Sequence, residues 1–202
     1  MSKAFKDSNE EIFETFLIKE REQEDIEKQH AQETIMYMAR CLEKEEKSAT
    51  IFTKIKWLFI DLIDGHKLKK IKKYNEKRVL KIPTEDRCNK DLKHKIINKK
   101  DFNVHIFFNQ VFTDRSTIAD CGGVHYPYLC YEIYMQIEYS ELLTRKQNFK
   151  EFEKITEAEQ YYNELIKHYK SQNVKDVINH LTEEIDKHCA ELKKRIAFFK
   201  NN

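Results

Sequence analysis

The chain has 202 residues, 40% hydrophobic with 13 Phe and 10 Tyr, which excludes disorder throughout and allows a sizeable core without cross-links. Only 3 Gly and 2 Pro occur, so long elements joined by few turns are expected. The net charge of +2 conceals blocks: residues 54–100 carry 16 Lys or Arg against 6 Asp or Glu, residues 1–53 carry 8 against 13, and residues 101–202 carry 13 against 16. A basic middle of this kind attracts nucleic acid, acidic lipid or an acidic protein face, unless the acidic ends neutralise it.

In chain order, Ser8-Asn9-Glu10-Glu11 has capping-box spacing and predicts a helix from there to about Lys47. Apolar residues gather at its ends (Ile12, Phe13, Phe16, Leu17; then Ile35, Met36, Met38, Leu42). The stretch from Lys19 to Thr34 is almost wholly polar, and reads as a solvent-crossing segment, a partner-binding surface over helix 10–46, or a break. Ile51 to Asp64 is the most apolar helix candidate and should be buried on most sides, with Gly65 as its stop. The lysine-rich run His66–Lys77 follows with helical spacing at Leu68, Ile71 and Tyr74. Residues 78–82 read as a short strand ended by Pro83, and Thr84-Glu85-Asp86 as the start of a helix carrying Cys88, Leu92 and Ile96.

The strand signal is strongest over 102–112 and 128–139, where apolar and polar residues alternate with period two. Placing both apolar faces on one side requires opposed residue numbers with an odd sum; one register of that kind sets Phe112 opposite Leu129, Asn109 opposite Glu132 and Phe107 opposite Tyr134. Thr113 to Pro127 then forms a long loop. Two helices close the chain: one opened by Thr156-Glu157-Ala158-Glu159 and running to about Lys170, and one from Val174 to about Phe199 with the stripe Val174, Ile178, Leu181, Ile185, Cys189, Leu192, Ile196 and Phe199. The predicted fold is α+β: a small antiparallel sheet packed by N- and C-terminal helices. Residues 1–49 are read as a helical extension and 50–202 as one α+β domain.

Five cysteines at irregular spacing (Cys41, Cys88, Cys121, Cys130, Cys189), with no secretory leader over Met1–Phe16, predict free thiols in the cytoplasm. No cofactor motif is present. On the 113–127 loop, Cys121 as nucleophile with His125 as base and Gly122 and Gly123 as oxyanion donors would make a thiol-dependent enzyme. Cys121, His125 and Cys130 are also metal-ligand types, but a fourth ligand is missing: His105 lies too far along the strand, and His188-Cys189 would have to fold over, so no metal is expected. Arg87 and His94 have an Arg-x6-His spacing on the predicted helix. This spacing is similar to that of the HEPN ribonucleases, which implies metal-free RNA cleavage; Cys88 stands where that family commonly has a polar residue.

Lys69, Lys70, Lys72, Lys73, Lys77, Arg78 and Lys81 form one basic cluster, and Lys90, Lys93 and Lys95 belong to a second. Tyr74, Tyr126, Tyr128 and Tyr134 are available for base stacking, while only Arg78 and Arg87 offer bidentate base reading in this region. Trp57 to Ile63 followed by lysines also resembles an interfacial membrane anchor, but Asp61 and Asp64 interrupt it and a core helix is preferred. The expectation is an interaction protein that is not an enzyme, docking nucleic acid first or an acidic protein surface second through residues 54–100.

Overall fold

The structure, a computed structural model, describes residues 2–119 and 122–201. Helix α1 (Ser2–Ser48) is followed by helix α2 (Ile51–Leu80), which leads through a 3-10 turn at Thr84–Asp86 into strand β1 (Lys90–Lys99). Strands β2 (Phe102–Ala119), β3 (Gly122–Tyr139), β4 (Leu142–Leu143) and β5 (Gln147–Phe152) follow, then helices α3 (Ile155–Ser171) and α4 (Val174–Asn201). The sheet is antiparallel, with β1 on one side of β2, and both β4 and β5 on the far edge of β3. The fold is α+β, with helices from both ends of the chain flanking the sheet.

The predicted register is the observed one: Phe112 faces Leu129, Asn109 faces Glu132 and Phe107 faces Tyr134. Alternation excludes every odd slip, because a one-residue slip would turn every apolar side chain to solvent, and the observed register is one of the even set that remains. Val104, Ile106 and Phe108 of β2 and Ile133, Met135 and Ile137 of β3 are fully buried on that face. They pack with Tyr162, Leu165 and Tyr169 of α3, with Val174, Ile178, Leu181, Ile185 and Cys189 of α4, and with Phe13 and Phe16 of α1.

The polar stretch of α1 is not a break. Helix α1 runs alongside α4 in the same direction, with Lys19 to Asp186 at 2.9 Å, Glu33 to Lys200 at 3.5 Å and the Tyr37 ring stacked on Phe199 at 5.0 Å. Its other side carries Glu20, 3% exposed, which accepts from the Arg145 backbone N–H at 3.1 Å and from Gln147 Nε2 at 2.6 Å.

Several local expectations are corrected. Gly65 does not end a helix; α2 continues to Leu80, and residues 78–82 are not a strand. Val79 falls on the same helical stripe as Leu68 and Asn75, all buried, and that packing outweighs both the cost of one mid-helix glycine and the strand propensity of Val79. The stop comes at Pro83, with Arg87 donating from Nε to the Ile82 carbonyl at 3.0 Å and from Nη2 to the Leu80 carbonyl at 3.4 Å. The helix predicted from Thr84 is instead strand β1. It pairs with the open edge of β2 and buries Ile97, and long-range backbone pairing outweighs local helical spacing.

The 113–127 loop is replaced by continuation of the hairpin, with Thr113 facing Tyr128 and Ser116 facing His125. Asp120 and Cys121 lie outside the described residues. Neither capping box is used. Ser8 lies inside α1, and α3 starts after Lys154, which has no side-chain cap of its own and pairs with Glu157 at 2.7 Å.

A candidate interaction surface on helix α2

Helix α2 is fastened to the sheet from one side. Arg78 Nη2 donates to the Leu129 carbonyl at 2.6 Å, Arg78 Nη1 lies 3.0 Å from Glu153 Oε2, and the Arg78 guanidinium sits over the Tyr128 ring at 4.9 Å. Arg115 covers the same ring at 3.9 Å. The Tyr74 hydroxyl donates to Glu153 Oε2 at 3.4 Å. At about 100° per residue, Trp57, Asp61, Asp64, Leu68, Asn75 and Val79 share an arc of roughly 60°, and this arc is the inward, partly or fully buried side of the helix along its whole length.

The opposite side is bare. Ile51, Ile55, Leu58, Phe59, Leu62 and Ile63 fall within one outward arc of roughly 140°. Their exposures run from 46% at Ile55 to 77% at Ile51, with Leu58 and Phe59 both at 63%. Lys69, Lys70, Lys73 and Lys77 fall within the same arc, roughly two to four turns beyond Ile63, together with His66. All four lysines are exposed, and none has an ion-pair partner among the described residues. One face of one helix is therefore aliphatic and aromatic over its first half and cationic over its second. The acids Asp61 and Asp64 point the other way, and Lys67 bonds Asp64 at 3.0 Å.

The remaining predicted binding residues do not join this stripe. Lys72 lies on the flank of α2, 3.8 Å from Glu76, and Arg78 is turned inward. Lys81 caps the end of α2 through its backbone N–H. Lys90, Lys93 and Lys95 stand on β1, a different element: Lys90 pairs with Asp86 at 2.6 Å, Lys93 with Glu159 at 2.8 Å, and Lys95 is exposed. The basic block thus resolves into one continuous stripe on α2 and a scattered set on the sheet edge.

Tyr128 is held between two guanidinium groups, and Tyr134 is stacked on Phe107 at 4.9 Å beneath Lys146 Nζ at 4.2 Å, so both rings are already occupied. Arg87 is spent on the end of α2. None of the arginines expected to read bases lies on the outward stripe.

The catalytic candidates are dispersed. His125 is exposed on a paired strand and, five residues from Cys130, lies on the opposite face of β3. Arg87 stands in a turn and His94 on β1, so the helix that the ribonuclease spacing presupposes is absent. His94 instead stacks on Phe107 at 4.3 Å and donates from Nε2 to His105 Nδ1 at 3.0 Å, while His105 donates from Nε2 to Glu138 Oε2 at 2.9 Å; the carboxylate sets both tautomers. Burial, then the neighbouring His105 charge, holds His94 below the ordinary imidazole value. Hydrogen bonds from Asn103 and His105 hold Glu138 below the usual carboxylate range.

Sequence reading missed one cluster, which unites β3 with β5. Cys130, Glu132 and Glu151 bring their Sγ and carboxylate oxygens within 4.8 Å of one another. Cys130 and Glu132 share a face by alternation, and Glu151 faces Glu132 across the strands. The acids are already matched: Arg115 Nη2 donates to Glu151 at 2.5 Å and Lys146 Nζ lies 3.5 Å from Glu132. Burial pushes the Cys130 thiol up to about 11, so it keeps its proton at neutral pH and is neither nucleophile nor ready ligand. Comparison with protein-family models, curated proteins and solved structures found no match to this chain.

Proposed function

We propose that this chain is a non-enzymatic interaction protein that docks an anionic partner along the outward face of α2. The observation that carries this reading is the convergence of Lys69, Lys70, Lys73 and Lys77 on one exposed stripe without internal counter-charges. Lysines whose charge is not met within the fold are free to meet charge outside it. Nucleic acid, the partner expected from composition, has the charge for this stripe. Its phosphates would be met by point charges alone, without base reading.

Retention of the full chain on immobilised heparin, a generic polyanion, tests the reading. It should fall steeply as salt rises, and the joint change of Lys69, Lys70, Lys73 and Lys77 to Gln should abolish it. With duplex DNA as the polyanion, four engaged lysines predict a log–log salt slope of about −3.6, and the quadruple variant should lose nearly all of it. Retention that is unchanged in the quadruple variant would remove α2 as the docking surface.

A further inference from the structure

The lysines are only half of the outward stripe. Five large apolar side chains before them (Ile51, Leu58, Phe59, Leu62 and Ile63) are each more than half exposed, and Ile55 lies among them. Together they bare on the order of 600 Å² of apolar surface, the upper limit of what a monomer normally leaves in water. Nucleic acid offers nothing to an aliphatic face of this kind. A lipid surface offers both chemistries side by side, acyl chains below and anionic headgroups above.

Resting on the anionic-partner reading of α2, we infer that the partner is an anionic lipid surface, met by the apolar first half and the lysine second half of one helix face. Three features make the geometry workable. Helix α2 meets the sheet through its inward arc and the flank that carries Tyr74 and Arg78, and the apolar residues of its outward arc are left exposed. Asp61 and Asp64, the charges that interrupt the apolar run in sequence, sit on that inward arc and need not enter the lipid. No described helix is long and apolar enough to cross a membrane. The mode is therefore interfacial: Leu58 and Phe59 dip below the headgroups, while Lys69, Lys70, Lys73 and Lys77 hold phosphate or carboxylate groups at the surface. A lysine at such a surface is worth about a fivefold change in partitioning.

The test is flotation of the full chain with phosphatidylcholine vesicles, with and without phosphatidylserine. Binding should require phosphatidylserine, weaken about 25-fold on changing Lys70 and Lys73 to Gln, and weaken at least about tenfold on changing Leu58 and Phe59 to Gln. Heparin retention should survive the Leu58→Gln, Phe59→Gln variant, which separates the two proposals. If heparin and DNA bind but vesicles do not, the lipid inference falls and the anionic-partner reading stands. Vesicle binding insensitive to either pair of substitutions also overturns the inference. So does self-association in light scattering that is lost in the Leu58→Gln, Phe59→Gln variant without any vesicle binding, since it would assign the apolar half to a second copy. If neither heparin nor vesicles bind, both proposals fall.

Discussion

Glu20 and His94 show how single residues acquire roles that their neighbours in sequence do not announce. Glu20 stands in the most polar stretch of the chain, yet it is buried and accepts the Arg145 N–H. Glu20→Ala leaves that donor unmet and should destabilise the fold by about 1–3 kcal/mol in urea denaturation. Burial holds the Glu20 carboxyl above its usual range despite those bonds. Its contribution is therefore greatest below the ordinary carboxylate value and is lost as pH rises through the raised folded value. Glu20→Gln should accordingly cost less than Glu20→Ala at neutral pH. His94 has the opposite sign. The folded protein binds its proton less readily than the unfolded chain, so its contribution is present above the ordinary imidazole value and lost as pH falls below it. An NMR titration should place the His94 midpoint below that of free histidine, and the urea midpoint should fall as pH drops below the ordinary imidazole value.

At the scale of the element, α2 carries two stripes. The inward one was misread because a glycine and a β-branched pair near its end suggested a stop and a strand. The outward one escaped notice because its halves have opposite polarity, so α2 taken whole shows no amphipathic pattern although each half has a consistent face. Since Leu58 and Phe59 are 63% exposed, changing both to Gln should move the thermal midpoint very little, within about 0.5 kcal/mol per site. A large drop would mean that these side chains pack within the molecule, and the outward stripe would cease to be a contact surface. The hairpin β2–β3 is the opposite case: alternation over 102–112 and 128–139 fixed which faces meet and the observed register satisfies it, and the distal 113–127 segment followed because antiparallel strands in register continue to pair.

At the scale of the molecule, the helix drawn as an N-terminal extension also supplies core. Phe13 and Phe16 are buried against Phe102 and Tyr139, with the Phe13 ring 5.4 Å from Tyr139. Phe16→Ala should cost about 3–5 kcal/mol, and a chain beginning at Thr50 should lose cooperative unfolding by circular dichroism. The charge blocks resolve at this scale too. Helix α1 meets α4 through Lys19–Asp186, Glu27–His188 and Glu33–Lys200, and among the described residues none of its acids pairs with a lysine of α2. The basic stripe is left without an internal counterpart.

The sequence by itself determined what is periodic and local: the α+β class, the shared apolar face of the central hairpin, the buried stripe of α4 and the existence of a basic middle. These follow from alternation and helical spacing, which act over a few residues. Tertiary structure alone decided which way α2 faces, that residues 90–99 pair as a strand, that Tyr128 and Tyr134 are occupied, and that the apolar run at 51–63 is bare where burial was expected. Each of these depends on what long-range packing leaves covered, and no local pattern encodes that.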